Sequence, residues 1–222
     1  MLFTTGKQFP DQNSIPRLAK YKRGKSYFNG TQQELYERAT EILKDTPHAK
    51  NLNLLYIACN IIDPLTTKPA DMLFGEPPIY ESGHEDDSEE QRAINRIVEE
   101  NDLNKQGFEL VLGGGIRGDA WLKTLYDYRE DYSEYVATFG DMPPGATPEV
   151  IIEVVPGQYV FPEVSQKSIK KFKAINICFV TFEDPEDTDS QAYLNVERHI
   201  PGHIFYYKYY LSPGSVNLDW GS

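Results

Sequence analysis

The order of apolar and polar positions divides the chain into a helical first half and a strand-rich second half. Thr31 and Glu34 have the spacing of a capping box, and Leu35, Ala39, Ile42 and Leu43 follow at helical intervals, which predicts a helix over 32–44 ended by Thr46-Pro47. Leu52 to Ile62 would be apolar on every side of a helix, so it must be enclosed by its neighbours. It is too short to span a bilayer and is interrupted by Asn53 and Asn60, which makes it a core helix. Asp63 before Pro64 reads as an N-cap followed by proline at the first helical position. The helix so started runs to about Leu73, with Gly75 as a left-handed stop before Pro77 and Pro78. Ser88 and Gln91 form a second capping box. Ala93, Ile94, Ile97 and Val98 make that helix's inner face, Arg92, Arg96 and Glu99 point outward, and Asn101-Asp102 breaks it.

From Asp119 the period shortens to two. Strands are predicted over 120–126, 134–139, 150–155 and 158–161, with Pro156-Gly157 and Pro162 as punctuation. Residues 174–182 and 192–199 read as a hairpin joined by an acidic loop, and 203–210 as a third strand after the turn Ile200-Pro201-Gly202. The fold class is therefore α+β, N-terminal helices followed by a mostly antiparallel β-rich region. Residues 1–30, with little periodicity at the start, read as an extended arm preceding one α+β domain over 31–222.

Composition narrows the function classes. The 40% of hydrophobic and 13% of aromatic residues exclude a disordered chain. A formal charge of −12 argues against a generic nucleic-acid binder, because neutralising phosphates needs an excess of Lys and Arg. Against that background Arg17, Lys20, Lys22, Arg23 and Lys25 place five positive charges in nine residues. They are a solvated arm, or a contact for nucleic acid or an acidic partner. Cys59 and Cys178 each sit in an apolar segment and read as small buried hydrophobes. Neither a secretory signal nor a membrane span is visible, which leads to the expectation of a soluble protein made in a cytoplasm. Asn29-Gly30-Thr31 reads as a turn leading to a helix cap.

Three motifs invite chemistry. The run from Gly113 to Gly118 is glycine-rich, as phosphate-cradling loops are, but it lacks a Gly-Lys-Ser/Thr ending and a preceding βαβ context. Close packing or a helix-to-strand turn is the competing reading. Glu81 to Glu90 carries six acids around His84 without the spaced ligands and glycine of a calcium loop, so it reads as a solvated linker. His199 and His203 have zinc-ligand spacing, but Pro201-Gly202 lies between them and no third ligand is evident. No catalytic, cofactor or metal residue is assigned.

The order of several short motifs resembles the N-terminal, wing portion of tailed-bacteriophage portal proteins. It starts with Tyr21, Tyr27 and Gly30, then Asn53 and Asn60 in the apolar helix, Leu73-Phe74-Gly75-Glu76-Pro77, Asn101 and Gly118-Asp119-Ala120-Trp121. The resemblance covers most of the chain. It implies a structural subunit, with no enzymatic activity and no cofactor, in a ring commonly of twelve at one capsid vertex. Double-stranded DNA is packaged and ejected through such a ring, which contacts the terminase, head-completion or adaptor proteins, and capsid or scaffolding proteins, without a membrane. It places the protein in the virion after synthesis in the host bacterial cytoplasm. The stem, clip and crown of the family have no counterpart in these residues. Two other functions are weighed beside it: a small nucleic-acid-binding module using Arg17–Lys25, and a nucleotide-binding enzyme using Gly113–Gly118.

Overall fold

The computed structural model describes residues 3, 9–31, 41, 60–184, 186, 187 and 189–211. The predicted helix over 32–44 falls outside them except at residue 41, and the apolar helix over 52–62 is described only from residue 60 onward. The architecture is α+β, as the patterning indicates: helices α1 (Ile15–Phe28), α2 (Ile62–Phe74), α3 (Glu89–Glu100) and α4 (Leu103–Arg117) precede most of the strands. Then come β1 (Trp121–Asp127), the short helix α5 (Ser133–Phe139), β2 (Glu149–Val155), β3 (Val160–Ser165), β4 (Ser168–Phe182), β5 (Ala192–Ile200) and β6 (His203–Leu211). Two compact units result, one of residues 67–155 and one of 1–66 with 156–222; the division falls inside α2.

The 67–155 unit is built on the pair β1–β2, antiparallel from Trp121↔Val155 to Asp127↔Glu149. In such a pair alternate residues turn their backbone groups away from the partner strand. On β2 these outward groups are met by side chains. The buried Asn101, at the C-cap of α3, accepts the Ile152 N–H at Oδ1 (2.8 Å) and donates from Nδ2 to the Val150 and Ile97 carbonyls, both at 2.9 Å. Gln106 Oε1, one turn into α4, accepts the Val154 N–H at 3.0 Å. Two amide side chains thus occupy the edge where a third strand would pair. Asp102, between the helices, takes a left-handed conformation (φ 45°), which Asp tolerates better than most residues. Phe74 packs on Gly107 so closely that a Cβ there would lie 2.2 Å from the ring.

Ser88 caps α3 as predicted, its Oγ accepting the Gln91 N–H at 3.1 Å. Gln91 does not complete the box, however. Its buried amide accepts the Ser82 N–H and donates to the Tyr80 carbonyl, both at 2.8 Å, tying the acidic linker to the helix. Ile94, Ile97 and Val98 are partly buried, whereas Ala93 faces solvent.

The other unit is centred on the meander β3-β4-β5-β6, antiparallel throughout. One face carries Phe161, Cys178, Leu194, Val196 and Leu211, and Phe3, Phe9, Leu18 and Tyr21 join these in a core. Two of the cover residues, Leu18 and Tyr21, come from α1, so residues 15–28 of the expected extended arm form a helix. Pro16 in its first turn and a buried stripe explain the difference. Gly30 (φ 71°) ends α1, with Gly30 N–H on the Tyr27 carbonyl and Thr31 N–H on the Ser26 carbonyl. Thr31 Oγ1 also lies near Ser26.

Across the covered face runs a polar network that links three strands, with Asn176 and Arg198 in one register row and Glu163 two residues along β3. Arg198 on β5 forms a two-pronged ion pair with Glu163 on β3 and donates to Asn176 Oδ1 (2.9 Å) on the intervening β4. Asn176 Nδ2 in turn donates to the Phe161 carbonyl at 2.9 Å and to Glu163 at 3.1 Å. Hydrogen bonding from Arg198 holds the Glu163 carboxyl below its ordinary value of 4.5, against the opposite push of partial burial and with help from Asn176.

Four further expectations are corrected. Residues 134–139 are helical, not extended. Ser133 donates its N–H to Asp131 Oδ1 at 2.9 Å at the start, and Gly140 (φ 78°) closes the last turn on Val136. The stretch Leu103–Arg117 is one helix that contains Gly113-Gly114-Gly115. The cap of α2 falls to Asn60, whose Oδ1 accepts the Asp63 N–H at 3.3 Å, while Asp63 and Pro64 lie inside the first turn. Gly75 is not left-handed. It is required because a Cβ there would lie 2.6 Å from the Asp71 carbonyl oxygen.

Asn101→Ala should destabilise the protein by about 2–3 kcal/mol in urea denaturation, because the Ile152 N–H and the Val150 carbonyl both lose their partner. Asn101→Asp, which retains only the acceptor, should recover part of that loss. The lowered Glu163 value sets the sign of a pH dependence: the pair's contribution is complete above the unfolded-state value and lost as pH falls through the folded-state one. Arg198→Leu should cost on the order of 3 kcal/mol at neutral pH, and the variant should lose less stability than the wild type when acidified. Equal acid sensitivity of the two proteins would show that the pair does not govern it.

Candidate functional site

All five residues of the N-terminal basic cluster lie on α1, but they do not act as one patch. Arg17 turns inward: its Nη2 donates to the Val160 carbonyl at 2.6 Å, and its guanidinium lies 5.5 Å from the Tyr21 ring and 5.3 Å from the Phe161 ring. It fastens the helix to the start of β3. Lys20, Lys22, Arg23 and Lys25 are exposed. Helical spacing puts Lys20 and Arg23 side by side and turns Lys22 elsewhere.

The glycine run has no loop geometry. Gly113, Gly114 and Gly115 lie within α4, where helical amides bond to carbonyls four residues back. Only Gly118 is outside the helix, as its left-handed cap (φ 90°), with its N–H on the Gly114 carbonyl at 2.8 Å. A Cβ at Gly114 would meet Ala120 at 3.7 Å, an ordinary contact, so the packing there does not demand glycine. The arrangement brings Gly118-Asp119-Ala120 directly before β1, which Trp121 opens.

His199 and His203 are kept apart by register. His203 pairs with Ile200 and His199 with Ile204, so the two rings belong to opposite faces of the sheet. His199 Nε2 instead lies 3.0 Å from Glu197 Oε1. Among the described residues no group of three or more His, Cys, Asp or Glu side chains is placed to hold a metal ion. Cys178 is fully buried and its thiol is pushed well up by that burial, which disfavours the nucleophilic thiolate. Cys59 lies outside the described residues.

A concavity of about 710 Å³ opens beside α5, lined by Asp127, Tyr128, Arg129, Glu130, Asp131 and Tyr132 with four neighbours. Its lining is rich in acids, and Arg129 is engaged with Glu149 at 3.3 Å. Its lining also pairs the Ser133 side chain with the Asp131 carboxyl, which that hydrogen bond holds below its ordinary value.

Charge is sorted between the units far more sharply than the total suggests. Residues 67–155 hold 20 of the 34 acidic side chains and 7 of the 22 basic ones, a formal charge of −13, which leaves +1 on the remainder. The part built around the meander is thus close to neutral, and there basic side chains gather locally. One gathering escaped the sequence reading: Lys167, Lys170, Lys171 and Lys173, all exposed, at the β3–β4 turn and the first third of β4. Four lysines in seven residues without an acid were a legible signal, passed over because the strand was started at Ala174.

Among the described residues no helix is long and apolar enough to cross a membrane. What the geometry presents is a pair of scaffolds with sorted surface charge. One comparison with known proteins supports the family whose motif order is described first, without singling out the wing portion. No curated protein and no solved structure matches the chain. A protein-family model does: residues 11–211 match the family described as "Phage portal protein, SPP1 Gp6-like", a span that takes in most of both units, and the chain belongs to that family.

Proposed function

We propose that this chain is a structural subunit of a phage portal, a ring at one capsid vertex through which double-stranded DNA is packaged and ejected, and that it furnishes the wing portion of that subunit. The observation that carries the reading is the family match over residues 11–211. The subunit is not an enzyme. Its work is to assemble with copies of itself and to hold partners, which are the terminase, head-completion or adaptor proteins, and capsid or scaffolding proteins. It acts in the virion after synthesis in the bacterial cytoplasm.

The surface supports an assembling role. Helix α2 leaves Leu65 63%, Met72 78% and Leu73 63% exposed, and Ile79 beyond it is 86% exposed. An apolar helix face open to water in a folded chain marks an interaction surface. In a ring, the same face of every copy would be covered by a different patch of its neighbour.

Purified protein should sediment as a closed oligomer and show rings by electron microscopy. Met72→Asp with Leu73→Asp should reduce it to monomers while leaving the thermal unfolding midpoint within a few degrees, since neither side chain contributes to a core. A wild-type chain that stays monomeric at every concentration would overturn the ring reading. An oligomer indifferent to the double variant would move the contact to another face.

A further inference from the structure

We infer that the β3–β4 hairpin is a contact for double-stranded DNA, gripping the phosphate backbone through Lys167, Lys170, Lys171 and Lys173. This deepens the proposed function, on which it rests for the polymer's presence, by assigning residues that touch it. Strand β4 pairs with β5 only from Ile175↔His199 onward, whereas its pairing with β3 continues to Ser165↔Ser168. Residues 164–173 therefore extend past the meander as a two-stranded ribbon. Six residue steps separate Ala174 from Ser168 on β4, but only two separate their partners Glu163 and Ser165 on β3. The ribbon is thus short, about 7 Å along β3, with the surplus of β4 bulged out. The register shifts on either side of Val164, and such irregularities increase the right-handed twist of a ribbon.

That shape suits a duplex. The major groove admits a two-stranded ribbon and is about 8.5 Å deep, so the tip of a short ribbon can enter it with its lysines toward the phosphates. The lysines lie close together, Lys167 at the turn and Lys170, Lys171 and Lys173 along the bulged part of β4, all exposed. Residues 164–173 contain no acid, and among the described residues none of the four lysines is in an ion pair. Val164 and Phe172, paired across the ribbon, are 48% and 49% exposed and supply an apolar surface between the charges. A groove of about 530 Å³ runs along the same element, with Gln166, Lys167 and Lys173 in its lining. Ammonium groups on flexible stems read charge rather than base identity, so the contact is independent of sequence. Helix α1 is the weaker candidate, because Arg17 is committed to Val160 and the remaining cations are divided between faces.

The test uses the full chain and labelled duplex DNA across about 50 to 200 mM salt, with the oligomer mass measured on the same samples. Replacing all four ribbon lysines by Gln should lower affinity roughly ten- to a hundredfold at the low-salt end and reduce the slope of log affinity against log salt by about three to four. The matching replacement of Lys20, Lys22, Arg23 and Lys25 should leave both nearly unchanged. If the fourfold variant does not fold, Lys167→Gln/Lys170→Gln and Lys171→Gln/Lys173→Gln are measured separately, and each should remove about half of the slope change. Wild-type affinity and slope in the ribbon variant overturn the inference, as does a loss that follows the α1 variant instead. So does a ribbon variant that loses oligomer mass while binding DNA normally, which would make the hairpin a contact between copies. A wild-type ring that ignores DNA overturns the contact and leaves the ring reading standing. Lysine-dependent DNA binding by a monomer does the reverse.

Discussion

The meander depends on a charge that has only one acceptable place. Arg198 sits in the middle of a covered sheet face, and taking a guanidinium out of water is tolerable only when its donors are met. They are met by Glu163 two strands away and by Asn176 on the strand between. Because side chains alternate, sliding β5 by one residue would carry Arg198 to the opposite face and leave Glu163 without its partner. The apolar residues reject that slip too, since Leu194 and Val196 would turn outward with Arg198. A slip of two residues would keep them inward, and the ion pair opposes it. The ion pair therefore contributes selection among registers more than net stability, and the core positions of β3, β4 and β5 follow from it.

Much of this half of the chain was legible, and for a plain reason. Ala174, Cys178, Leu194 and Val196 alternate with less buried positions, and a period of two has no helical counterpart. What stayed hidden was decided by contacts that no local pattern records. Each glycine costs a helix about 1 kcal/mol relative to alanine, so the run at 113–115 argued against α4. Of that helix's glycines, Gly107 is demanded by a close contact, with Phe74, whereas a Cβ at Gly114 would meet Ala120 at an ordinary distance. Residues 134–139 offered aromatic and β-branched side chains that suit a strand as well as a helix. The capping groups Asp131 and Gly140, just outside that stretch, settle it. Lys170, Lys171 and Lys173 concealed the first part of β4, since charged side chains on both faces erase the alternation by which a half-buried strand is recognised.

The sorting of charge bears on how an acidic protein could serve beside a polyanion. A uniform charge of −12 would repel DNA from every side, whereas confining the excess to residues 67–155 leaves the remainder nearly neutral. Local structure then matters more than the total. The basic cluster visible by counting is partly absorbed into the fold through Arg17, and the one hidden in a strand stands clear of it. Asn101 shows the same economy with backbone groups. By filling the outer edge of β2 it turns a two-stranded sheet, an open template for further pairing, into a finished element.

Arg17 and Val160 are hydrogen-bonded across 143 positions of sequence, and the whole of the 67–155 unit is threaded between them. As the chain leaves the ribosome, that unit has all its strands and helices in hand once β2 has emerged, while α1 must wait for the meander to close over its apolar stripe. Synthesis thus imposes an order: the inserted unit can become compact first, and by doing so it shortens the effective loop that the outer unit has to close. Leu18 and Tyr21 of α1 gain their full cover only when β6 has brought Leu211 into the same core.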